Sequence, residues 1–228
     1  MKKPVVDYRT FRLSKINQPE FAHLKLLLGW VVYFALYFLT ENLIPAQKCT
    51  PVHMWLDDII PFNEWFLIPY VFWYALIVIS LGYFLLYHVD SFKRLQTYII
   101  ITQLLAMVAY IAYPTRQDLR PEVFANDNLL TRCVAFLYAF DTNTGVCPSL
   151  HVAYSLGIAS VWTKEKDASS VWKAFVVFAV IMICLSTMFI KQHSAVDVIA
   201  AIPVCIVAEA VVYRDRYFRK KKTGIIKQ

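Results

Sequence analysis

The chain has 228 residues, 59% of them hydrophobic, 16% aromatic and only 17% charged, where soluble domains carry roughly 25% charged residues. That balance excludes a soluble globular domain, and five glycines with no low-complexity tract exclude disorder outside the termini. The formal net charge of +7 would invite a nucleic-acid reading in a soluble protein, but here the cations follow membrane topology and no nucleic-acid partner is expected.

The first apolar run begins near Leu24, too late and, at about 20 residues, too long for a removed signal, so it is expected to stay as a membrane span. Further windows fall at Phe66 to Tyr87, Gln96 to Tyr113, Ser149 to Thr163, Ala174 to Ile190 and His193 to Tyr213, the first closing at Ile44. These runs are continuous, not alternating, which predicts helices and not barrel strands. The expected fold is all-α: one integral membrane bundle of six helices over residues 24–213, a cytoplasmic segment at 1–23 and a basic tail at 214–228.

Between the first two windows, Trp55, Leu56, Ile59, Ile60, Phe62 and Trp65 alternate with Asp57, Asp58 and Glu64, the pattern of an amphipathic piece lying at the interface. After the third comes the longest polar stretch, Pro114 to Pro148, in which the apolar Val134 to Phe140 either lengthens the fourth span or re-enters the membrane. Eighteen of the 23 lysines and arginines lie in the amino-terminal segment, two short loops (Lys93 and Arg94; Lys164, Lys166 and Lys173) and the tail. The positive-inside rule therefore puts both termini in the cytoplasm. Lys48, Arg116, Arg120, Arg132 and Lys191 fall outside.

Ionisable groups at a membrane boundary are costly and point to function. Here they gather on the outer side. His151 follows Pro148 and Ser149 at the start of the fourth span, and His193 opens the sixth with Asp197 four residues on, on the same helix face. Helix amino termini of this kind suit phosphate, and Arg116 and Arg120 come from the loop immediately after the third span while Lys191 sits just before His193. His23, His53 and His88 read as ordinary polar residues, and Glu122, Asp127 and Arg132 as solvated loop charges.

Three spaced motifs stand out: Tyr113 with Arg120-Pro121, Pro148-Ser149-Leu150-His151, and Ser186-Thr187 followed by His193 and Asp197. Together they resemble the type-2 phosphatidic acid phosphatase superfamily, the membrane relatives of acid phosphatases and vanadium haloperoxidases. The resemblance covers Tyr113 to about Ala201. It implies that His193 is a nucleophile forming a phosphohistidine, Asp197 its orienting partner and His151 the acid, with Arg120 and Ser149 holding phosphate. Tyr113 and Thr187 stand where the family has cations and Leu150 where it has glycine, while Ser186 keeps its place. Arg116 and Lys191 are the candidates to replace the missing cations.

The run Lys191-Gln192-His193 is similar to the branch containing inositol phosphorylceramide synthases, which pass the phosphoryl-bearing group to an alcohol. The resemblance thus implies a lipid phosphate phosphatase, with a phosphotransferase as the alternative and an inactive lipid-binding or transport protein as a third. No metal or cofactor is expected. The expected partners are a lipid phosphate and the bilayer, with the site on the extracytoplasmic face of a bacterial plasma membrane or a lumen-facing eukaryotic one. Cys49, Cys133 and Cys147 leave one outer disulfide open.

Overall fold

A computed structural model describes residues 3–215, and its secondary structure is almost wholly helical. The helices are α1 (Leu28–Leu43), α2 (Trp55–Ile59), α3 (Leu67–Tyr87), α4 (Val89–Ala112), α5 (Leu129–Phe140), α6 (Leu150–Lys164), α7 (Ser170–Phe189) and α8 (Ala195–Val212). Short 3₁₀ turns precede α1 and α3 (Ala22–Leu27 and Glu64–Phe66). Of the tail cations used above, Arg216, Arg219, Lys220, Lys221, Lys222 and Lys227 lie outside the described residues, as does Lys2.

Five helices are long and apolar enough to cross a membrane, at Ala22–Leu43, Glu64–Tyr87, Val89–Ala112, Ser170–Phe189 and Ala195–Val212. The fourth expected window does not reach that length. It folds as α6, 15 residues or about 22 Å of helix against a hydrocarbon core of about 30 Å. What α6 lacks in length it makes up in burial: Leu150, Val152, Ala153, Tyr154, Ile158, Val161 and Trp162 are all buried, and it packs on α3, α4, α7 and α8. At Gly157 the packing is so close that an added Cβ would sit 2.5 Å from the Tyr98 ring.

Other boundaries shift too. The third window begins earlier, at Val89, so Lys93 and Arg94 ride on the first turns of α4 and His88 is the whole connection to α3. Leu129–Phe140 is a separate helix shorter than a span, not an extension of α6, started by Asn128, whose side chain accepts from Thr131 N–H at 3.0 Å. The interfacial segment contracts to the single turn-and-a-half of α2. All five cysteines are free, so no disulfide ties the outer loops.

Backbone pairing does that work instead. β1 (Thr50–Pro51) pairs in parallel with β2 (Thr115–Arg116), and Arg116 bridges to Thr144, so three outer segments are stitched edge to edge. Tyr110 Oη donates to Pro148 O at 2.7 Å and holds the start of α6 against α4.

Candidate active site

Two helix starts meet at one end of the bundle. α6 begins at Ser149, whose N–H donates to Asp197 O at 3.1 Å, so the amino termini of α6 and α8 are bonded directly. α8 begins at Ser194, whose hydroxyl accepts from Val196 N–H at 3.1 Å, while Asp197 Oδ2 reaches back to Ser194 N–H at 3.0 Å. The same Oδ2 lies 3.1 Å from His193 Nδ1, so one carboxylate both caps the helix and aims the imidazole. With Nδ1–H donating to it, Nε2 carries the lone pair, and it faces His151 Nδ1 at 3.4 Å. His193 and Asp197 are buried, and His151 is wedged beside Trp73, ring centroids 4.2 Å apart.

A second layer of hydrogen bonds holds this corner from the side. Asp57, buried on α2, accepts from Ser194 Oγ and, at 2.8 Å, from Ala195 N–H. Its backbone carbonyl and that of Ile60 accept from Lys191 Nζ. Lys191 has a φ of 52°, the left-handed conformation that turns the chain sharply enough to bring His193 back over the bundle. Burial lowers the lysine's affinity for its proton while Asp57 and Asp58 act the other way.

Beside the two histidines a cavity of about 530 Å³ runs down between α1 and α3. Its outer end carries His151, His193, Gln192, Asp141, Thr142 and Thr144. The rest is aromatic and aliphatic, with Trp30, Tyr33, Phe34 and Tyr37 from α1 facing Trp73, Tyr74, Ile77 and Val78 from α3. α1 leans on α4, whereas α3 packs on α4, α6 and α7, and the seam between α1 and α3 is where the cavity meets the apolar surface. Phe34 and Val78 line it while 59% and 70% exposed.

The expected phosphate ligands are distributed unevenly. Arg120 is one residue removed from the cavity: its guanidinium donates to Gln192 Oε1 at 2.6 Å and to the carbonyls of Tyr138, Asp141 and Thr142, and it lies 4.6 Å over the Tyr138 ring. Burial lowers its proton affinity, and Asp141 opposes that. Ser149 is fully buried as the α6 cap.

The remaining four do not reach the cavity. Arg116 donates to Ala46 O, Cys49 O and Asp118, fastening the stitched loops. Lys191 points away to α2. Tyr113 is 62% exposed at the end of α4, and Ser186, wholly buried in α7, donates to Ile183 O. Neither proposed replacement cation stands beside the histidines.

Three residues of the site went unassigned from sequence. Gln192 and Asp141 line the cavity and Asp57 braces α8. Burial pushes the Asp141 carboxyl up, against the pull of His193 and Arg120. Burial likewise pushes the Cys147 thiol up to about 12, so it stays protonated. For a metal, the described residues offer one cluster of histidine and carboxylate donors, His88, Glu165 and Asp167, near the far end of α6 from His151. No family model, curated protein or solved structure matches this chain.

Proposed function

We propose that this protein is a membrane enzyme that transfers the phosphoryl group of a lipid phosphate through a phosphohistidine at His193. The observation that carries it is the buried His151–His193–Asp197 relay at the end of an apolar, side-opening cavity. In the first half-reaction His193 Nε2 attacks phosphorus, the bond to the leaving oxygen breaks, and His151 donates a proton to that oxygen. In the second, His151 takes a proton from water, whose oxygen displaces the histidine and releases phosphate. Asp197 balances the charge that develops on His193. A nitrogen separation of 3.4 Å leaves no room for phosphorus between the rings, so the substrate parts them on entry.

The sequence motifs support a lipid phosphate phosphatase. Transfer to an alcohol is the second reading, and the cavity favours it in one respect: among the described residues no lysine or arginine lines it, so little there anchors a free phosphate dianion. We also propose that α6 is the sixth, shortened transmembrane element, shielded by its neighbours, that both termini are cytoplasmic, and that the histidines face the extracytoplasmic side. The distribution of Lys93, Arg94, Lys164, Lys166 and Lys173 supports that orientation.

The test is a panel of phosphatidate, phosphatidylglycerol phosphate, polyprenyl pyrophosphate and phosphodiester lipids with and without alcohol acceptors, run on wild type and His193→Ala. Acid-labile phosphate on the wild-type protein and loss of turnover by about 10³-fold or more in the variant are expected. Normal turnover by His193→Ala would overturn the assignment. Phosphate release separates the phosphatase from the transferase, which forms a new diester instead.

A further inference from the structure

The end of the bundle away from His151 carries a second convergence of titratable side chains. His88 is the single residue joining α3 to α4, Glu165 closes α6, and Asp167 lies in the loop that leads to α7. The reaction proposed at His193 uses none of them. One donor atom from each lies within 4.8 Å of the other two, and all three line an open cavity of about 660 Å³.

Their spacing is not that of an ordinary ion pair. His53 and Asp58 form such a pair, with Nε2 and Oδ1 in contact at 2.8 Å. His88 Nδ1 instead stands 3.5 Å from Glu165 Oε1 and its Nε2 3.9 Å from Asp167 Oδ2, both longer than a hydrogen bond between such groups. Two donors bonded to one zinc ion at about 2.1 Å, with a tetrahedral angle between them, lie about 3.4 Å apart. The separation of His88 from Glu165 is therefore that of two ligands sharing an ion. Asp167, whose side chain is 60% exposed, has room to bring its oxygen in.

The fold holds two of the three donors in place. His88 N–H donates to Phe84 O at 2.8 Å, and the imidazole stacks on the Tyr83 ring with centroids 5.4 Å apart. Glu165 N–H donates to Val161 O at 3.0 Å and to Trp162 O at 3.2 Å, while Oε2 accepts from Ser91 Oγ and leaves Oε1 on the side of the imidazole. A hydroxyl bonded to the far oxygen is the kind of outer contact that orients a ligating carboxylate. Three cations that line the same cavity are directed elsewhere: Lys164 to Glu209 at 2.8 Å, Lys93 to Asp90 at 3.4 Å, and Arg94 over the Tyr213 ring. With the imidazole neutral, as a metal ligand must be, the trio carries two negative charges, which one divalent ion cancels.

One imidazole with two carboxylates suits zinc better than magnesium, which keeps to oxygen ligands. We infer that His88, Glu165 and Asp167 bind a divalent transition-metal ion of the zinc class, water completing its shell, and that the ion clamps the turn between α3 and α4 to the loop between α6 and α7. This goes beyond the phosphohistidine proposal and does not depend on it.

The full-length protein, purified through a tag free of histidine and stripped with EDTA, is titrated with zinc chloride in nanodiscs by isothermal titration calorimetry. A His193→Ala background keeps the histidine pair at the other end from supplying a zinc site. One saturable site is expected, weakened about 100-fold or more by His88→Ala and about 10-fold or more by Asp167→Asn and Ser91→Ala, with no binding of magnesium chloride over the same range. Zinc should also raise the melting temperature by about 3 °C or more, and this rise should shrink in Asp167→Asn. Absence of saturable zinc binding, binding unchanged in both His88→Ala and Asp167→Asn, or magnesium bound as tightly as zinc overturns the inference. Zinc binding without a rise in melting temperature overturns the clamp. Asp167 lies on an exposed loop, so its variant decides the question if circular dichroism shows His88→Ala unfolded.

Discussion

α1 and α6 are opposites. α1 has the composition of a span, yet none of its residues is buried, and it touches the bundle chiefly along α4. α6 is 15 residues long and too short to cross a bilayer unaided, yet it packs on four neighbouring helices and carries His151 at its first turn. The difference separates two uses of apolar side chains. On α1 they face lipid and one wall of a cavity, where shape tolerances are loose. On α6 they interlock at interior density, and small changes of volume are felt.

Substitutions at the histidine corner should give the largest effects. Asp197→Asn removes the charge that aims His193 and should lower kcat by about 10²-fold or more, with KM little changed, as read by steady-state kinetics. Asp57→Ala leaves Ser194 Oγ and the Ala195 N–H without their acceptor. It should cost about 2 kcal/mol of stability and lower kcat by about 10-fold, because the start of α8 loosens under His193. A thermal melt in detergent and kinetics on the same preparation check both parts.

Within α6, Gly157→Ala should cost about 1–3 kcal/mol, read as a lowered melting temperature, because the new methyl meets the Tyr98 ring. A Val32→Ala change on the exposed face of α1 makes the contrasting control, and a shift there as large as at Gly157 would break the comparison. Smallest of all is the expected effect of Arg116→Ala on turnover, within about 3-fold, since the guanidinium ties loops together and does not reach the cavity. A fall of kcat as large as that of Asp57→Ala would restore it as a phosphate ligand.

The apolar windows were legible because hydropathy acts locally, and five of the six needed only boundary changes. The window at Ser149 to Thr163 folds as a helix shorter than a span, its apolar residues packed against neighbouring helices, and no local signal distinguishes burial in protein from burial in lipid. His193 and Asp197 could be paired from their spacing, since four residues on a helix share a face. The contacts of the cations were not legible in this way. Lys191 was singled out by its place two residues before His193 and Arg116 by its loop after the third span, but a left-handed turn at Lys191 and the strand pairing at Arg116 send both side chains to carbonyls. Asp57 and Asp141 were not singled out from sequence because their partners lie 137 and 51 residues away in the chain.

From the sequence alone came the apolar helical character and the pairing of His193 with Asp197, consequences of composition and of spacing within a single helix. Only the tertiary structure decided that His151 faces His193, that among the described residues no lysine or arginine lines the cavity, and that Asp57 braces the site from α2. Those facts depend on which helix ends meet and which way a loop turns, and such contacts are settled by packing across the whole bundle.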